Sequence, residues 1–230
     1  MDGYGADGRV RENEKTIGKL KMEELVLVGF GGHAKSIVDS IEAAGIYHIA
    51  GYTDPKSRCE YHGYKCLGTD DDLAWLFQNG IRKAVVSVGY LGKGNLRNRL
   101  YEKLKQVGYQ LPAIIDPSAV IGKDVKIGEG TYIGKRAVLN AGTQIGKMSI
   151  INTGAIVEHE SKVGEFTHIA VGSVLCGNVS VGRKCLIGAG AVVIQEIEIE
   201  DEAVIGAGSV ILGHIKRAET VYGIVKGTGL

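Results

Sequence analysis

The chain is 230 residues long and carries 27 Lys and Arg against 26 Asp and Glu, a net charge of +1 that offers no broad field for nucleic acid or an anionic membrane surface. Its 35 glycines are roughly twice ordinary usage, yet with 3 prolines, no Gly-x-y period and 44% hydrophobic residues it is neither collagen-like nor disordered. The length is about one and a half average domains, no run of 18 apolar residues is present, and the expected partner is a small molecule.

Residues 1–21 are polar and mixed in charge and lack a signal-peptide core. Because Met22 runs directly into the strand-like EELVLVG, this stretch reads as a leader or tag outside the fold. An apolar run at 25–29 enters the glycine turn GFGGHA and a helical pattern over 35–44. A strand follows near 48–53, stopped by Asp54-Pro55. A helix near 72–78, a strand at 84–89, a helix at 95–107 and a short strand ending at Ile115 complete a β/α alternation, a Rossmann-like unit over 22–112. Gly29-Phe30-Gly31-Gly32-His33-Ala34 fits G-x-G-x-x-A between strand and helix, where backbone N–H groups and a helix N-terminus can take a phosphate. Asp54 closes the second strand, where such folds place a carboxylate against ribose or base donors. The pair suggests a nucleotide or nucleotide-sugar pocket, the unit being too small for a dinucleotide; the alternative is a turn that only packs strand on helix. Lys93, Arg97 and Arg99 either approach a phosphate near Asn95 or coat a surface helix, and Asp70, Asp71 and Asp72 suit a solvated helix start.

From Ile121 an aliphatic residue recurs every sixth position without a break, through Ile127, Ile133, Leu139, Ile145, Ile151, Val157, Val163, Ile169, Leu175, Val181, Ile187, Val193, Ile199 and Ile205 to Ile211. Small residues stand four positions later and Gly often directly follows. The period predicts a hexapeptide β-solenoid over 113–216, with the aliphatic side chain on the axis and Gly relieving the corners; 217–230 is left as a tail. One corner departs from the bland hexad. Val157-Glu158-His159-Glu160-Ser161 puts His159 at an outward corner, where a neutral imidazole with a carboxylate neighbour can act as general base. A solvated surface histidine is the alternative. His168, nine residues on, lies half a coil away, so the two meet one cleft only across an interface between solenoids. Cys176 and Cys185 read as filler, and the scattered cysteines suit a reduced, cytoplasmic protein; no metal site is expected.

GFGGHAK, YTDPK and the segment NTGAIVEHESKVGEFTHIAVGSVLCGNVSVG together resemble bacterial left-handed β-helix acyltransferases of the PglD/NeuD type, over residues 23 to about 215. Among these, the bacillosamine-pathway UDP-4-amino-sugar N-acetyltransferases are nearest, with sialic acid O-acetyltransferases as relatives. The resemblance implies a left-handed parallel β-helix behind a small Rossmann-like domain, acetyl-CoA as donor, a UDP-linked amino sugar as acceptor, and a homotrimer with active sites between solenoids. It also implies that His159 is the base and Glu160 raises its basicity. Gly31, Gly32 and His33 would then hold the diphosphate, Thr53 and Asp54 the uracil end, and Gly89 the pocket floor, with Asn152 also on the substrate. His168 would contact the thioester region of coenzyme A, and Gly177, Ala189 and Ala207 would line the pantetheine groove.

Overall fold

The structure is a computed structural model that describes residues 22–56, 60–61, 63–216 and 218–227, so the expected leader lies outside the described residues. Strand β1 (Glu23–Val28) carries four consecutive buried aliphatics, Leu25 to Val28, because helices cover both faces of its sheet. It pairs in parallel with β2 (Tyr47–Thr53) on one side and with a strand at Lys83–Val86 on the other. Helix α1 (Gly32–Ala44) starts three residues earlier than its apolar pattern suggests. Its N-cap, Gly31, offers no side-chain hydrogen bond, so the first-turn N–H groups face the cleft uncapped. A hairpin of β3 (Glu60–Tyr61) and β4 (Tyr64–Lys65), helix α2 (Leu73–Gln78), β5 (the strand at Lys83–Val86) and helix α3 (Leu96–Val107) complete the domain.

The short strand expected to close this unit joins it only at Gln110, which bridges Lys83 in parallel. Ile114–Ile115 pairs with Tyr132–Ile133 and is the first rung of the solenoid, because its alternation suits a solenoid rung as well as a strand end. Rungs then stack in parallel with an 18-residue offset, as in Val138 against Val120 and Ile156, so three hexads make one triangular coil. Each rung shows two residues, the first outward and the second on the axis. Inward Leu139, Val157, Leu175, Val193 and Ile211 form one fully buried column, and two similar columns complete the core. Each such side chain contributes roughly 1.5–3 kcal/mol of burial. The small residues of the hexad are the inward corner positions, where hydroxyls satisfy carbonyls of the next coil; Ser161 donates to Cys176 O at 3.0 Å and Thr167 to Gly182 O at 2.7 Å.

Glycine after the aliphatic position has a different cause from the one expected. A Cβ on Gly164 would stand 2.5 Å from the Gly182 carbonyl carbon, so close stacking of coils excludes it. The left-handed corner residue comes two positions later, and there Gly142, Gly154 and Gly172 alternate with Glu160, Phe166 and Asn178. The solenoid also outlasts the limit at residue 216. Thr220–Val221 and Ile224–Val225 pair with Val204–Ile205 and Val210–Ile211, which makes most of the supposed tail its last coil.

The three faces differ in what they point outward. One is covered: Ile114, Tyr132 and Ile150 are buried against α1, while Met148 and Phe166 at its edge pack on Leu100, Tyr101 and Leu104 of α3. Lys135 to Asp39 at 2.8 Å and Ser40 to Asp116 at 2.6 Å tie α1 down. The second face is polar, with Lys126, Gln144, Lys162, Ser180 and Glu198 outward. The third is apolar throughout: Val120, Val138, Ile156, Val174, Val192, Val210 and Ile224.

Candidate active site

A cleft of about 320 Å³ opens at the N-terminus of α1, lined among others by Gly31, Gly32, His33, Asp54, Ser87 and Gly89. Asp54 spans its rim: one carboxylate oxygen accepts from Phe30 N at 3.0 Å and the other from Lys56 N at 2.8 Å. The carboxylate therefore shapes the glycine turn and keeps only its remaining lone pairs for a ligand. Thr53, expected beside it at a base, is instead fully buried; its hydroxyl donates to Asp70 at 3.3 Å and its carbonyl accepts from Gly29. Its side chain meets the cleft only through Asp70, which lines it.

His33 sits between the cleft and the solenoid, edge-on to the Tyr132 ring with centroids 5.3 Å apart, and Gly89 lies against it. Among the described residues its buried Nε2 has no hydrogen-bond partner. Burial first, then the charge of Arg97 and the nearby His168, pulls its pKa down to about 3, so the ring is neutral. Arg97 is neither a phosphate-approaching nor a surface residue. It is 3% exposed, and burial lowers its pKa to about 10, which leaves it charged. Lys93 borders another cleft, with Gly92, Asn95 and Lys184.

His168 points outward from the covered face and is 8% exposed. Nδ1 is 2.6 Å from the Tyr90 carbonyl, which can only accept, so Nδ1 carries the proton; Nε2 then accepts from Asn152 Nδ2 at 3.1 Å. Burial holds its pKa below the usual histidine range. Both ring nitrogens are thus engaged within the chain, and a thioester contact must come through Asn152 or a displaced bond. Asn152 is fixed in turn, its Oδ1 accepting from Thr153 N at 2.8 Å.

His159 and Glu160 stand at the edge where the apolar face turns into the polar one. His159 is open to solvent, with its Nδ1 3.7 Å from the Glu160 carboxylate. One coil on, Gly177 lies directly beneath the ring: a Cβ there would be 2.5 Å from Nε2. Sequence reading did not single out the partners that hold this corner. Asn140 donates to Glu158 Oε2 at 2.8 Å, and the same oxygen accepts from His159 N at 3.3 Å. The signal available for the pair is its 18-residue spacing, one full coil. At the next coil Cys176 occupies the capping position and cannot do the same, so the Gly177 N–H has no acceptor among the described residues. Ala189 and Ala207 do not share this edge. They stack at the corner between the covered and apolar faces, one coil apart, on the side of Asn152 and His168. Cys185 fills an inward position and burial pushes its thiol up to about 11, which removes it as a nucleophile. No group of three metal-ligating side chains occurs among the described residues, and among them no helix is long and apolar enough to cross a membrane.

Residues 24–104 match the family described as the PglD N-terminal domain, and residues 105–204 match the GMPPB C-terminal domain. GDP-perosamine N-acetyltransferase from Caulobacter crescentus, solved as a histidine-to-alanine variant with CoA and GDP-perosamine, is 32% identical over 87% of this chain and 93% of that one, with a TM-score of 0.82. The chain belongs to the PglD-type family of sugar acetyltransferases. A further PglD-type structure, the acetyltransferase domain of PglB from Neisseria gonorrhoeae in complex with acetyl coenzyme A, is 30% identical over 88% of this chain and 97% of that one, with a TM-score of 0.81. A curated PglD-type relative, the UDP-N-acetylbacillosamine N-acetyltransferase of Bacillus subtilis, is 33% identical over 113 residues, a match that spans 48% of this chain and 50% of that protein. The solenoid is accordingly the left-handed parallel β-helix of the PglD-type fold.

Proposed function

We propose that this protein transfers an acetyl group from acetyl-CoA to the 4-amino group of a UDP-linked amino-dideoxy sugar, with His159 as general base. The observation that carries the reading is the corner itself: an exposed imidazole seated on Gly177, a carboxylate 3.7 Å from Nδ1, and beside them a Gly177 N–H with no acceptor among the described residues. In this role Glu160 favours the proton on Nδ1, which leaves the Nε2 lone pair to take a proton from the attacking amine. As the C–N bond forms, the carbonyl oxygen becomes anionic and the Gly177 N–H stabilises it; collapse breaks the C–S bond and releases the coenzyme thiolate.

The faces supply the rest. If three copies pack their apolar faces around a three-fold axis, the two edges of that face fall into different interfaces. The His159–Gly177 edge of one copy then meets the Ala189–Ala207 edge of its neighbour, next to that neighbour's Asn152 and cleft. The cleft, with an uncapped helix N-terminus and the neutral His33, suits the diphosphate of a nucleotide sugar. The use of acetyl-CoA and the absence of any disulfide among the described residues suit the cytoplasm. A GDP-linked amine is the second reading, favoured by the GDP-perosamine in two similar structures that are 32% and 34% identical to this chain, each with a TM-score of 0.82.

The deciding experiment follows thiol release from acetyl-CoA against UDP-, GDP- and dTDP-linked 4-amino-4,6-dideoxy sugars and free sialic acid. Release with the UDP-amine alone is expected. Release with the GDP-amine alone moves the nucleotide assignment, and release with sialic acid alone replaces N-acetylation with O-acetylation.

A further inference from the structure

The floor of the cleft is the segment 87–89, which leaves β5 and runs toward the solenoid. Ser87 ties it to β1 through the carbonyls of Val28 and Gly29, and one cation ties it to the solenoid. Arg97, in the first turn of α3, donates through Nη1 to the carbonyls of Val86 and Val88 and through Nη2 to the carbonyl of Met148 at 2.8 Å. Met148 is a left-handed corner of the solenoid, so the guanidinium joins the end of the cleft's own strand to the other domain. No carboxylate pairs with Arg97 among the described residues, and its Nε has no partner. A buried unpaired charge is an expensive way to fill space, and an apolar side chain of similar volume would serve packing better. What only a planar fork supplies is simultaneous reach to carbonyls on both sides of a domain boundary. The next residue is tied as well: the Tyr90 carbonyl accepts from His168, and the Tyr90 hydroxyl donates to the Lys184 carbonyl at 2.8 Å.

Resting on the function proposed above, we infer that Arg97 is a positioning residue: it fixes the cleft floor at a set height on the solenoid, so that a sugar amine held in the cleft reaches the His159 edge of the adjoining subunit. It touches neither substrate. Its loss therefore leaves nucleotide affinity intact and misplaces the amine.

The test compares Arg97→Lys, which keeps the charge and loses the fork, with Lys135→Met, which cuts a peripheral tie between the same domains. In Arg97→Lys kcat falls roughly 10- to 100-fold, the usual size of a small misplacement. The KM for acetyl-CoA and the dissociation constant of free nucleoside diphosphate stay within about twofold of wild type, and amide exchange over 86–90 accelerates. Lys135→Met keeps wild-type kcat at a comparable loss of melting temperature. Unchanged kcat in Arg97→Lys, nucleotide binding lost in proportion to kcat, or equal kcat losses in both variants would each overturn the role. Should Arg97→Lys fail to fold, Tyr90→Phe loosens the same segment: a several-fold drop in kcat with intact nucleotide binding supports the inference, and wild-type kcat overturns it. Wild-type protein inactive on every nucleotide-linked amine would instead overturn the functional reading, and this role with it.

Discussion

The His159 corner makes three residue-level demands that can be checked separately. A general base contributes about 10²- to 10⁴-fold, so His159→Ala should lower kcat by that factor with little change in melting temperature. Gly177→Ala is the cleaner probe, because Gly177 has no left-handed φ and its backbone accepts alanine, while the added Cβ would sit 2.5 Å from His159 Nε2. The ring must move, and kcat should fall at least tenfold at an unchanged KM for acetyl-CoA; normal turnover in Gly177→Ala would mean that the ring's seat is irrelevant. Glu160 orients the ring. With its carboxylate 3.7 Å from Nδ1, Glu160→Gln should lower kcat less than His159→Ala does, at an unchanged KM for acetyl-CoA. Wild-type kcat in Glu160→Gln removes Glu160 from the mechanism. His33 makes a stability demand. Its pKa is near 6.5 in the unfolded chain and about 3 in the folded one, so only the unfolded state takes a proton between those values. Stability present above pH 6.5 is lost as the pH falls, by about 2 kcal/mol at pH 5. Urea unfolding followed by Trp75 fluorescence should show this loss in wild type and not in His33→Gln. The outward corner placement of His159 was legible because the residue breaks a strict repeat. Arg97 was not, since nothing in LRNRL separates an inward arginine from the outward Arg99, and its partners are carbonyls, which leave no mark in sequence.

Among the elements, the solenoid was legible almost rung by rung because the same six-residue constraint acts many times over. Where two structures share one local pattern, the sequence could not choose. Ile114-Ile115 alternates as well in a sheet as in a coil, and the two-residue rungs at 220–221 and 224–225 fall outside the strict six-residue register. The β3–β4 hairpin carried only a single glycine, Gly63 with φ 78°, as its sign. The two glycine positions of the hexad make a direct test of the coil. Gly172 has φ 64° with open space around it, and other corners accept Glu, Phe or Asn there, so Gly172→Ala should cost about 1–2 kcal/mol. Gly164 has an ordinary φ and the next coil's backbone where its Cβ would go. Gly164→Ala therefore separates two coils and should cost roughly 3 kcal/mol or more, beyond ordinary overpacking. Chemical denaturation of the two variants side by side measures the difference, and equal losses would mean that coil spacing does not dictate this glycine.

For the molecule as a whole, the composition of the three faces decides how copies can associate. The covered face is occupied by the chain's own first domain, and the polar face, with lysines among its outward residues, loses hydration if buried. The apolar face is a continuous ladder of Val and Ile whose ends, Val120 and Ile224, are 59% and 74% exposed. Such a ladder on an otherwise charged chain marks a surface that self-association removes from water. On the proposed function its two borders carry the two halves of the site, so oligomer and activity should fail together. Val174→Glu places a carboxylate in the middle of the ladder, pointing away from the core, and leaves the inward Leu175 column untouched. The coil should keep its fold, seen as an unchanged far-ultraviolet spectrum, because three carboxylates brought to one axis repel each other only in the assembled state. Sedimentation velocity should then show wild type as a trimer and Val174→Glu as a monomer, with acetyl transfer lost and nucleotide binding by the single-chain cleft retained. A monomeric variant with wild-type turnover would place the whole site within one chain. A trimer that survives the charge would put the interface on another face, and the pairing of His159 with the neighbour's Asn152 edge would fall with it.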